Sequence, residues 1–361
     1  MGKRCVAIMT GGGDAPGLNA VIRAVVKHGV SELGWRVIGI EDSLDGLLES
    51  PRRVHELGRE SVRGILRLGG TILGTTNRGD PFAWGPDGKD RAAEIAPALR
   101  DLGCEGLIAI GGDGTLGIAA RLAEQTGVKV LGVPKTIDND IPGTEITFGF
   151  DTAAAFATEA VDRLHATAEA HDRVMVVEVM GRDTGHIAMH AGIAGGADVV
   201  LIPEIPFQWE PIVGKIQRRM AFRRHFSVVV VAEGATPVGC DPTRTAMPGS
   251  GRMNLGGIGQ KVAEEIAQRA QVEARATVLG HLQRGGNPSA FDRVLATMMG
   301  SRAVEAIEEG RWGRMVALVN GGVTDVPLAE VVGQPPRRVN PTGSRVRTAR
   351  GMGIVMGDED E

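Results

Sequence analysis

The sequence predicts an α/β protein built on parallel sheets, and three observations carry this prediction. Short apolar runs that are typical of buried strands alternate with helical patterns along the chain. Glycine-rich turns follow several of these runs, at the points where a strand has to turn into a helix. The chain has 361 residues, which is long enough for two domains that each enclose their own core.

Composition excludes several classes of function. The chain has no tyrosine, 3% aromatic residues and a net charge of -4, so neither base stacking nor a general nucleic-acid surface is expected. The three cysteines are widely spaced without a CxxC pair, which fits neither a disulfide framework nor a zinc site and indicates a reducing cytoplasm. The apolar run before the first glycines is too short for a signal peptide, and no segment has the length of a membrane span.

The first elements lead to two loops that suit phosphate. A strand is expected at residues 3–9, and the glycine turn that follows leads into an amphipathic helix, whose free N–H groups favour an anion. On that helix Arg23 and Lys27 form either a small basic patch or a solvated face. A strand at 36–40 is followed by a polar loop that ends in Arg78, and a guanidinium suits phosphate oxygens, although this segment alone fits a surface arginine equally well.

The central stretch, residues 107–140, reads strand, glycine turn, helix, strand and acidic loop. Asp113 lies in the glycine turn GGDGT, and a carboxylate beside a phosphate points to a bridging magnesium ion. The second strand, at 128–133, delivers Lys135 and two aspartates to the same sheet edge. A plain turn explains GGDGT alone and a solvated loop explains TIDND alone, but together they favour a binding site, because parallel sheets bind ligands beyond the carboxyl ends of their strands.

The second half continues the alternation. Strands are expected at 173–179, 199–202, 227–232, 275–279 and 315–318, and helices at 152–168, 186–194, 208–222, 258–270 and 290–308. Arg173 and Arg182 lie at opposite ends of one straight strand of about 20 Å, so they cannot face the same site within one subunit. Glu233 ends a valine-rich strand as either a ligand or a cap, and His281 and Arg284 bracket a glycine-flanked turn that favours phosphate. From about residue 334 the chain is expected to form an extended or loosely packed tail.

With these residues placed, the chain resembles the 6-phosphofructokinase family over about residues 5–323. Seven motifs in this order carry the resemblance: GGGDAPGLN, GGTILGT, GGDGT, PKTIDND, VEVMGR, AEGA and RATVLGHLQRGG. Lipid and NAD kinases also contain GGDGT, but they do not combine TIDND with MGR and GHLQRGG. The resemblance implies two Rossmann-like three-layer domains with mostly parallel sheets and an active site in the cleft between them. It implies a phosphoryl-donor domain at 1–149 plus about 283–333, and a sugar-phosphate domain at about 150–282.

The resemblance also implies an activity: Mg²⁺-assisted transfer of a phosphoryl group from ATP to O1 of fructose 6-phosphate, in glycolysis, by a cytoplasmic homodimer or homotetramer. Asp138 would be the general base, Thr136 and Arg182 would contact the transferring group, Asp140 would support the local charges and Asp113 would hold magnesium. The donor site would be lined by Gly12, Gly13, Arg78, Gly112, Asp113, Gly114 and Thr115. The sugar phosphate would be bound by Thr136, Ile137, Asp138, Met180, Gly181, Arg182, Glu233, His281 and Arg284, with Arg173 and Arg275 reaching in from a neighbouring subunit.

Two positions bear on the identity of the donor. Pyrophosphate-using relatives typically have aspartate at the position of Gly114 and lysine at that of Lys135, whereas simple ATP enzymes have glycine at both. This chain combines Gly114 with Lys135 and resembles the ATP-using members of the mixed subgroup. Because the second aspartate would fill the space of the ATP α-phosphate, Gly114 favours ATP. A pyrophosphate-dependent enzyme and a non-catalytic nucleotide or sugar-phosphate sensor stay open, and Arg23 and Lys27 match basic positions of the effector site in regulated relatives.

Overall fold

The computed structural model describes residues 3–222, 225–246 and 253–359 of the chain. The strands are β1 Cys5–Thr10, β2 Arg36–Ile40, β3 Val54–Glu56, β4 Leu107–Gly111, β5 Val130–Thr136, β6 Phe148–Gly149, β7 Val174–Val179, β8 Val199–Leu201, β9 Ser227–Ala232, β10 Arg244–Ala246, β11 Met253–Leu255, β12 Ala274–Val278, β13 Arg314–Val319 and β14 Gly322–Pro327. The α-helices are α1 Leu18–Val26, α2 Asp45–Leu48, α3 Ile95–Asp101, α4 Asp113–Thr126, α5 Phe150–Ala170, α6 His186–Ala194, α7 Trp209–Ala221, α8 Ile258–Ala270, α9 Ala290–Glu308 and α10 Ser344–Gly351. None of the helices in these ranges is both long and apolar enough to cross a membrane.

The chain divides into two compact units. Unit 1 comprises Met1–Thr152 and Arg284–Pro335, and unit 2 comprises Ala153–Gln283 and Pro336–Glu361. Each unit is therefore built from two separate stretches of the chain. Which ligand each unit binds stays a prediction at this point.

Unit 1 is organised around one sheet with the strand order β14-β13-β5-β4-β1-β2-β3, in which β6 also pairs with β5. The central strands are parallel, and only the outer pairs β13–β14 and β2–β3 are antiparallel. After β3 the chain returns past β2 and β1 and adds β4 on the other side of β1, so the strand order reverses at β1. The carboxyl ends of β1 and β4 consequently flank the crevice in which open parallel sheets bind ligands.

Helices cover both faces of this sheet, which gives unit 1 three layers. On one face, α1 and α9 pack against alternate residues of β1, β4 and β5, such as Val6, Ile108 and Val133. On the other face, α2, α3 and α4 pack against Ala7, Met9 and their neighbours. Burial on both sides explains why these strands are continuously apolar, which is typical of parallel sheets.

Unit 2 contains a four-stranded parallel sheet of order β12-β7-β9-β8. Its core includes α7 and α8 packed on the valines of β7 and β9. The short antiparallel pair β10–β11 forms a separate ribbon. The predicted α/β class with mostly parallel sheets is therefore confirmed in both units.

The expectation of a loosely packed C-terminal tail was wrong. The chain from Pro336 to the end of the described residues belongs to unit 2 and includes α10. Val355 extends the sheet beside β8, because Val200 N donates to Val355 O at 2.9 Å and Val355 N donates to Asp198 O at 3.0 Å. Met356 is fully buried. A few apolar residues suffice to anchor the segment on the edge of the sheet, and the surrounding Pro, Arg and Gly concealed them in the sequence.

Candidate active site

The first glycine turn of unit 1 follows β1 and is held by two neighbouring segments. Gly12 N donates to Thr76 O at 3.1 Å, and Thr75 Oγ1 donates to Gly12 O at 2.6 Å. These bonds place the loop that carries the exposed Arg78 beside the turn. A Cβ atom added at Gly13 would lie 2.9 Å from Nη1 of Arg284, so the backbone and this guanidinium approach each other as closely as only glycine permits.

The second glycine turn follows β4 and leads directly into α4, whose N-cap is Gly112. Thr10 and Ile110 are paired in the sheet, and the two turns therefore lie side by side. The side chain of Thr115 lies between them. A Cβ atom added at Gly11 would lie 2.8 Å from Thr115 Oγ1, and one added at Gly111 would lie 2.3 Å from Thr115 Cβ. The predicted donor contact Thr115 is thus largely buried and sets the spacing of the turns. The free N–H groups of α4 face the crevice beyond them, which suits an anion.

Gly114 occupies the second position of α4 and is exposed. A Cβ atom added there would meet no protein atom within 4 Å, and the residue does not have a positive φ. Neither packing nor backbone conformation therefore requires glycine, which in a helix is destabilising by about 0.5–1 kcal/mol relative to alanine. The missing side chain leaves space at the amino terminus of α4.

Lys135 lies beneath the two turns and is 3% exposed. Its Nζ donates to the carbonyl of Gly13. Burial, followed by repulsion from Arg284, lowers its pKa to about 8, while Asp138, Asp14 and Asp113 favour the charged form. The lysine is therefore a buried, mostly protonated group at neutral pH that fixes the first glycine turn and brings positive charge to this edge of the sheet.

The acidic loop after β5 is shaped by a residue that sequence reasoning missed. Asn139 is fully buried and adopts a left-handed backbone with φ 55°. Its Oδ1 accepts a hydrogen bond of 3.0 Å from Thr147 N, and the Thr147 hydroxyl donates to Thr136 O at 2.8 Å. Asparagine tolerates this conformation better than most residues, and this preference was the available sequence signal. Asn139 therefore fixes the backbone of the acidic loop between Asp138 and Asp140.

Negative charge is concentrated at this loop. Burial, followed by repulsion from the carboxylates of Asp138 and Asp113, raises the pKa of Asp140 to about 6, although hydrogen bonds, including one with Thr136, oppose the shift. The three aspartates predicted to lie together thus share one electrostatic field. Such an arrangement favours a cation among them.

These residues fit magnesium that arrives with a nucleotide. Across the described ranges, no group of three or more His, Cys, Asp and Glu side chains is arranged to hold a metal ion. Magnesium, however, usually binds one or two protein carboxylates, substrate phosphates and water. Asp113 is exposed at the first position of α4, beside the N–H groups that suit those phosphates.

In unit 2, two turns pack together at the carboxyl ends of β7 and β9. Gly181 N donates to Glu233 Oε1 at 3.4 Å, and Gly234 N donates to Gly181 O at 3.1 Å. A Cβ atom at Gly234 would lie 1.9 Å from the carbonyl oxygen of Arg182, so only glycine fits. The structure therefore brings together Met180, Gly181, Arg182 and Glu233, as the motifs predicted. Arg182 has a side chain that is 68% exposed and forms a 2.8 Å ion pair with Asp183.

Gln283 is a second residue that the sequence reasoning missed. Its side chain is 1% exposed, accepts a 3.3 Å hydrogen bond from Met180 N and donates a 3.1 Å hydrogen bond to Gly280 O. It thereby fixes the turn that carries the exposed His281 against the turn that carries Met180. A glutamine inside a glycine-flanked motif gives no local signal of this buried role.

Arg173 and Arg275 are grouped away from these turns. Both pair with Glu273, at 2.8 Å each, where β7 and β12 begin. Met180 and His281 follow the opposite, carboxyl ends of the same strands. The objection from strand length therefore holds for Arg275 as well as for Arg173. Arg284 ends the short 3-10 helix Gly280–Arg284, which also carries His281, and it donates to Asp14 O at 3.1 Å.

The basic pair Arg23 and Lys27 lines a pocket of about 470 Å³ in unit 1. Arg59 and Arg63 line the same pocket, together with Glu32 and Glu60. Of the two interpretations of Arg23 and Lys27, the structure thus favours a basic patch over a solvated helix face. The pocket lies beside the end of α1, the helix that the first glycine turn precedes.

Comparison with known proteins gives consistent results. The family model for phosphofructokinase matches residues 5–307. The chain is 50% identical over 358 residues to ATP-dependent 6-phosphofructokinase 1 of Synechocystis sp., covering 98% of both chains. It is 49% identical over 339 residues to pyrophosphate–fructose 6-phosphate 1-phosphotransferase of Amycolatopsis methanolica, covering 92% of this chain and 97% of the relative. The solved T-state phosphofructokinase of Pichia pastoris superposes with a TM-score of 0.81 at 32% identity, covering 98% of this chain and 37% of that larger chain.

Proposed function

Because the chain belongs to the phosphofructokinase family, we propose that it is an ATP-dependent 6-phosphofructokinase that converts fructose 6-phosphate to fructose 1,6-bisphosphate in glycolysis. One observation carries the choice of ATP. Gly114 leaves open space at the amino terminus of α4, with no structural need for glycine there. The similarity to an ATP-dependent relative supports the same donor.

The donor phosphates are bound mainly by backbone N–H groups in this proposal. Gly12 and Gly13 on the first turn, and Gly112 and Gly114 on the second, let N–H groups approach the phosphate oxygens. Arg78 adds a guanidinium from the adjoining loop. Asp113 would hold Mg²⁺, which supplies neutralisation of phosphate charge when it is bound.

Phosphoryl transfer requires a base for the alcohol and positive charge for the moving group. Asp138 accepts the proton of the sugar O1 hydroxyl as that oxygen bonds to the γ-phosphorus, while the bond from phosphorus to the β-bridging oxygen breaks and ADP leaves. Thr136 and Arg182 contact the transferring group, and Arg182 offsets its negative charge. Asp140 interacts electrostatically with Asp138, and negative charge beside the base favours its uptake of a proton.

The sugar phosphate is bound by Ile137, Met180, Gly181, Glu233, His281 and Arg284 in this proposal. Glu233 accepts hydrogen bonds from sugar hydroxyls, and His281 and Arg284 bind the 6-phosphate. Arg173 and Arg275 act on the site of a neighbouring subunit, because within one chain they lie at the opposite ends of β7 and β12. The active form is accordingly a homo-oligomer.

The experiment compares initial rates of fructose 1,6-bisphosphate formation with Mg²⁺ and either ATP or pyrophosphate at matched concentrations. Saturable turnover that is faster with ATP is expected. Turnover with pyrophosphate alone would favour the second candidate, a pyrophosphate-dependent enzyme. The buried Lys135 and the similarity to the Amycolatopsis relative support this candidate. Turnover with neither donor would favour a sensor, a function that does not need Asp138 as a base.

A further inference from the structure

A buried polar network in unit 1 has no place in the proposed mechanism so far. Its centre is Asp292, which lies in the first turn of α9 and is 0% exposed. Asp292 Oδ2 accepts hydrogen bonds from Thr152 N at 2.8 Å and from Thr152 Oγ1 at 2.5 Å. A buried carboxylate is costly unless hydrogen bonds compensate for its lost hydration, so this network holds its partners firmly.

Ser289, the N-cap of α9, closes the network from the other side. Its hydroxyl accepts from Asp292 N at 3.2 Å and donates to Asp151 Oδ2 at 2.5 Å. Ser289 N donates to Thr152 Oγ1 at 2.9 Å. The start of α9 and the residues around Thr152 are therefore joined by several bonds over about 140 positions of sequence.

The network reaches the acidic loop through β6. Gly149 lies three residues before Thr152, and its peptide N–H favours the ionised form of the Asp292 carboxylate. In the sheet Gly149 is paired with Thr136, the last residue of β5. A Cβ atom added at Gly149 would lie 3.4 Å from Ile137 Cγ2 and 2.8 Å from Ala15 Cβ, so this strand touches both the acidic loop and the first glycine turn.

We propose that Asp292 is a positioning residue for phosphoryl transfer: its carboxylate holds β6, and β6 keeps Thr136, Ile137 and Asp138 in place beside the first glycine turn. The mechanism in this form rests on the proposed function, because it assigns chemistry to Asp138. The structural part does not, because it concerns only the path from Asp292 through Gly149 to Thr136. A displacement of about 1 Å at reacting groups can cost about 100-fold in rate.

The test uses Asp292→Asn and Thr152→Val in the full chain. Asp292→Asn removes the charge, and Thr152→Val removes the hydroxyl while retaining the shape of the side chain and its N–H. With ATP, Mg²⁺ and fructose 6-phosphate, kcat is expected to fall about 10- to 100-fold in both variants, with both KM values within about threefold of the original. Thr152→Ser, which keeps the hydroxyl, should restore kcat.

A second measurement separates positioning from activity. Amide hydrogen exchange should quicken in peptides covering residues 134–149 of both variants, and not in peptides of β7 and β9. The matched control is Asp325→Asn, because Asp325 is another buried carboxylate of unit 1 that also binds α9, through Arg302, but on β14. It should lower Tm and leave both kcat per folded molecule and exchange at 134–149 unchanged.

Two results would overturn the proposal. One is that Asp292→Asn and Thr152→Val behave as Asp325→Asn does, with a lower Tm but unchanged kcat and unchanged exchange at 134–149. The other is that exchange quickens across all of unit 1 equally, which would mean general loss of stability. If the original chain forms no fructose 1,6-bisphosphate, the proposed function fails, and the exchange experiment still decides whether Asp292 holds the acidic loop.

Discussion

Substitution of Gly114 by aspartate tests the proposed donor site most directly. Since a Cβ atom at this position meets no protein atom within 4 Å and φ is not positive, the side chain can be added without strain. Aspartate in the first turn of a helix is stabilised by the helix dipole by about 0.3–1 kcal/mol. The variant should therefore fold with a Tm close to that of the original chain.

The expected effect on ATP follows from charge. The new carboxylate would stand at the amino terminus of α4, in the space proposed for the α-phosphate of ATP. Two like charges about 4 Å apart repel by about 1 kcal/mol in water and about 4 kcal/mol near a protein surface. Because about 1.4 kcal/mol corresponds to a factor of ten, kcat/KM for ATP should fall by about 5- to 700-fold. Pyrophosphate has no third phosphate, so its rate should fall much less.

The assay measures kcat/KM for ATP and the rate with pyrophosphate for Gly114→Asp, Gly114→Ala and Gly117→Asp. Gly114→Ala adds volume without charge and should retain most of the activity. Gly117→Asp adds the same charge one turn further along α4, where the nearest contact to a Cβ would be 3.9 Å away, and should also remain active. A folded Gly114→Asp variant that keeps the kcat/KM for ATP of the original chain would refute the placement of the donor at α4.

Three further variants test the proposed site and its unit. Asp138→Asn should lower kcat by about 100- to 10,000-fold with little change in either KM, as measured by steady-state rates, and unchanged turnover would end the general-base mechanism. Asp140 has its pKa raised from 3.8 to about 6 in the folded state, so its contribution to stability is fully present below about pH 4 and is lost as the pH rises to about 6. Asp140→Asn should therefore match the original chain in Tm at pH 4 and exceed it at pH 8; equal values at pH 8 would contradict the assigned shift. Asp325 pairs with Arg302, Arg311 and Arg314, which hold its pKa below the usual value, so Asp325→Asn should lower the free energy of unfolding by about 3–5 kcal/mol at pH 7, with a smaller loss in acid, as measured by urea titration.

Much of the fold was predictable because its signals are local. The predicted bounds of β2, β9, α6, α8 and α9 agree with those in the structure. Alternation of apolar residues and glycine punctuation depend only on neighbours a few positions apart, and they are therefore present in the sequence itself. The two glycine turns and the acidic loop were identified in the same way.

The strand order depends on contacts between distant residues. Residue spacing alone does not place β4 next to β1, yet this pairing sets the two glycine turns side by side. Local patterns likewise grouped Arg284 with His281, which the structure keeps on one short 3-10 helix, but they did not predict that Arg284 also lies against Gly13. Both contacts join residues that lie more than 90 positions apart in the sequence, and the spacing of apolar residues along the chain does not report such contacts.

The sequence by itself determined the chemistry of this protein: which carboxylates, glycines and arginines are available, and on which loops they lie. Only the tertiary structure decided what each residue does there. Thr115 spaces the two glycine turns, and Lys135 holds the carbonyl of Gly13. Asp292 binds Thr152, about 140 positions away in sequence, and is proposed to support β6 in this way. The physical reason is that burial and hydrogen bonding belong to pairs of residues, whereas a sequence lists them singly.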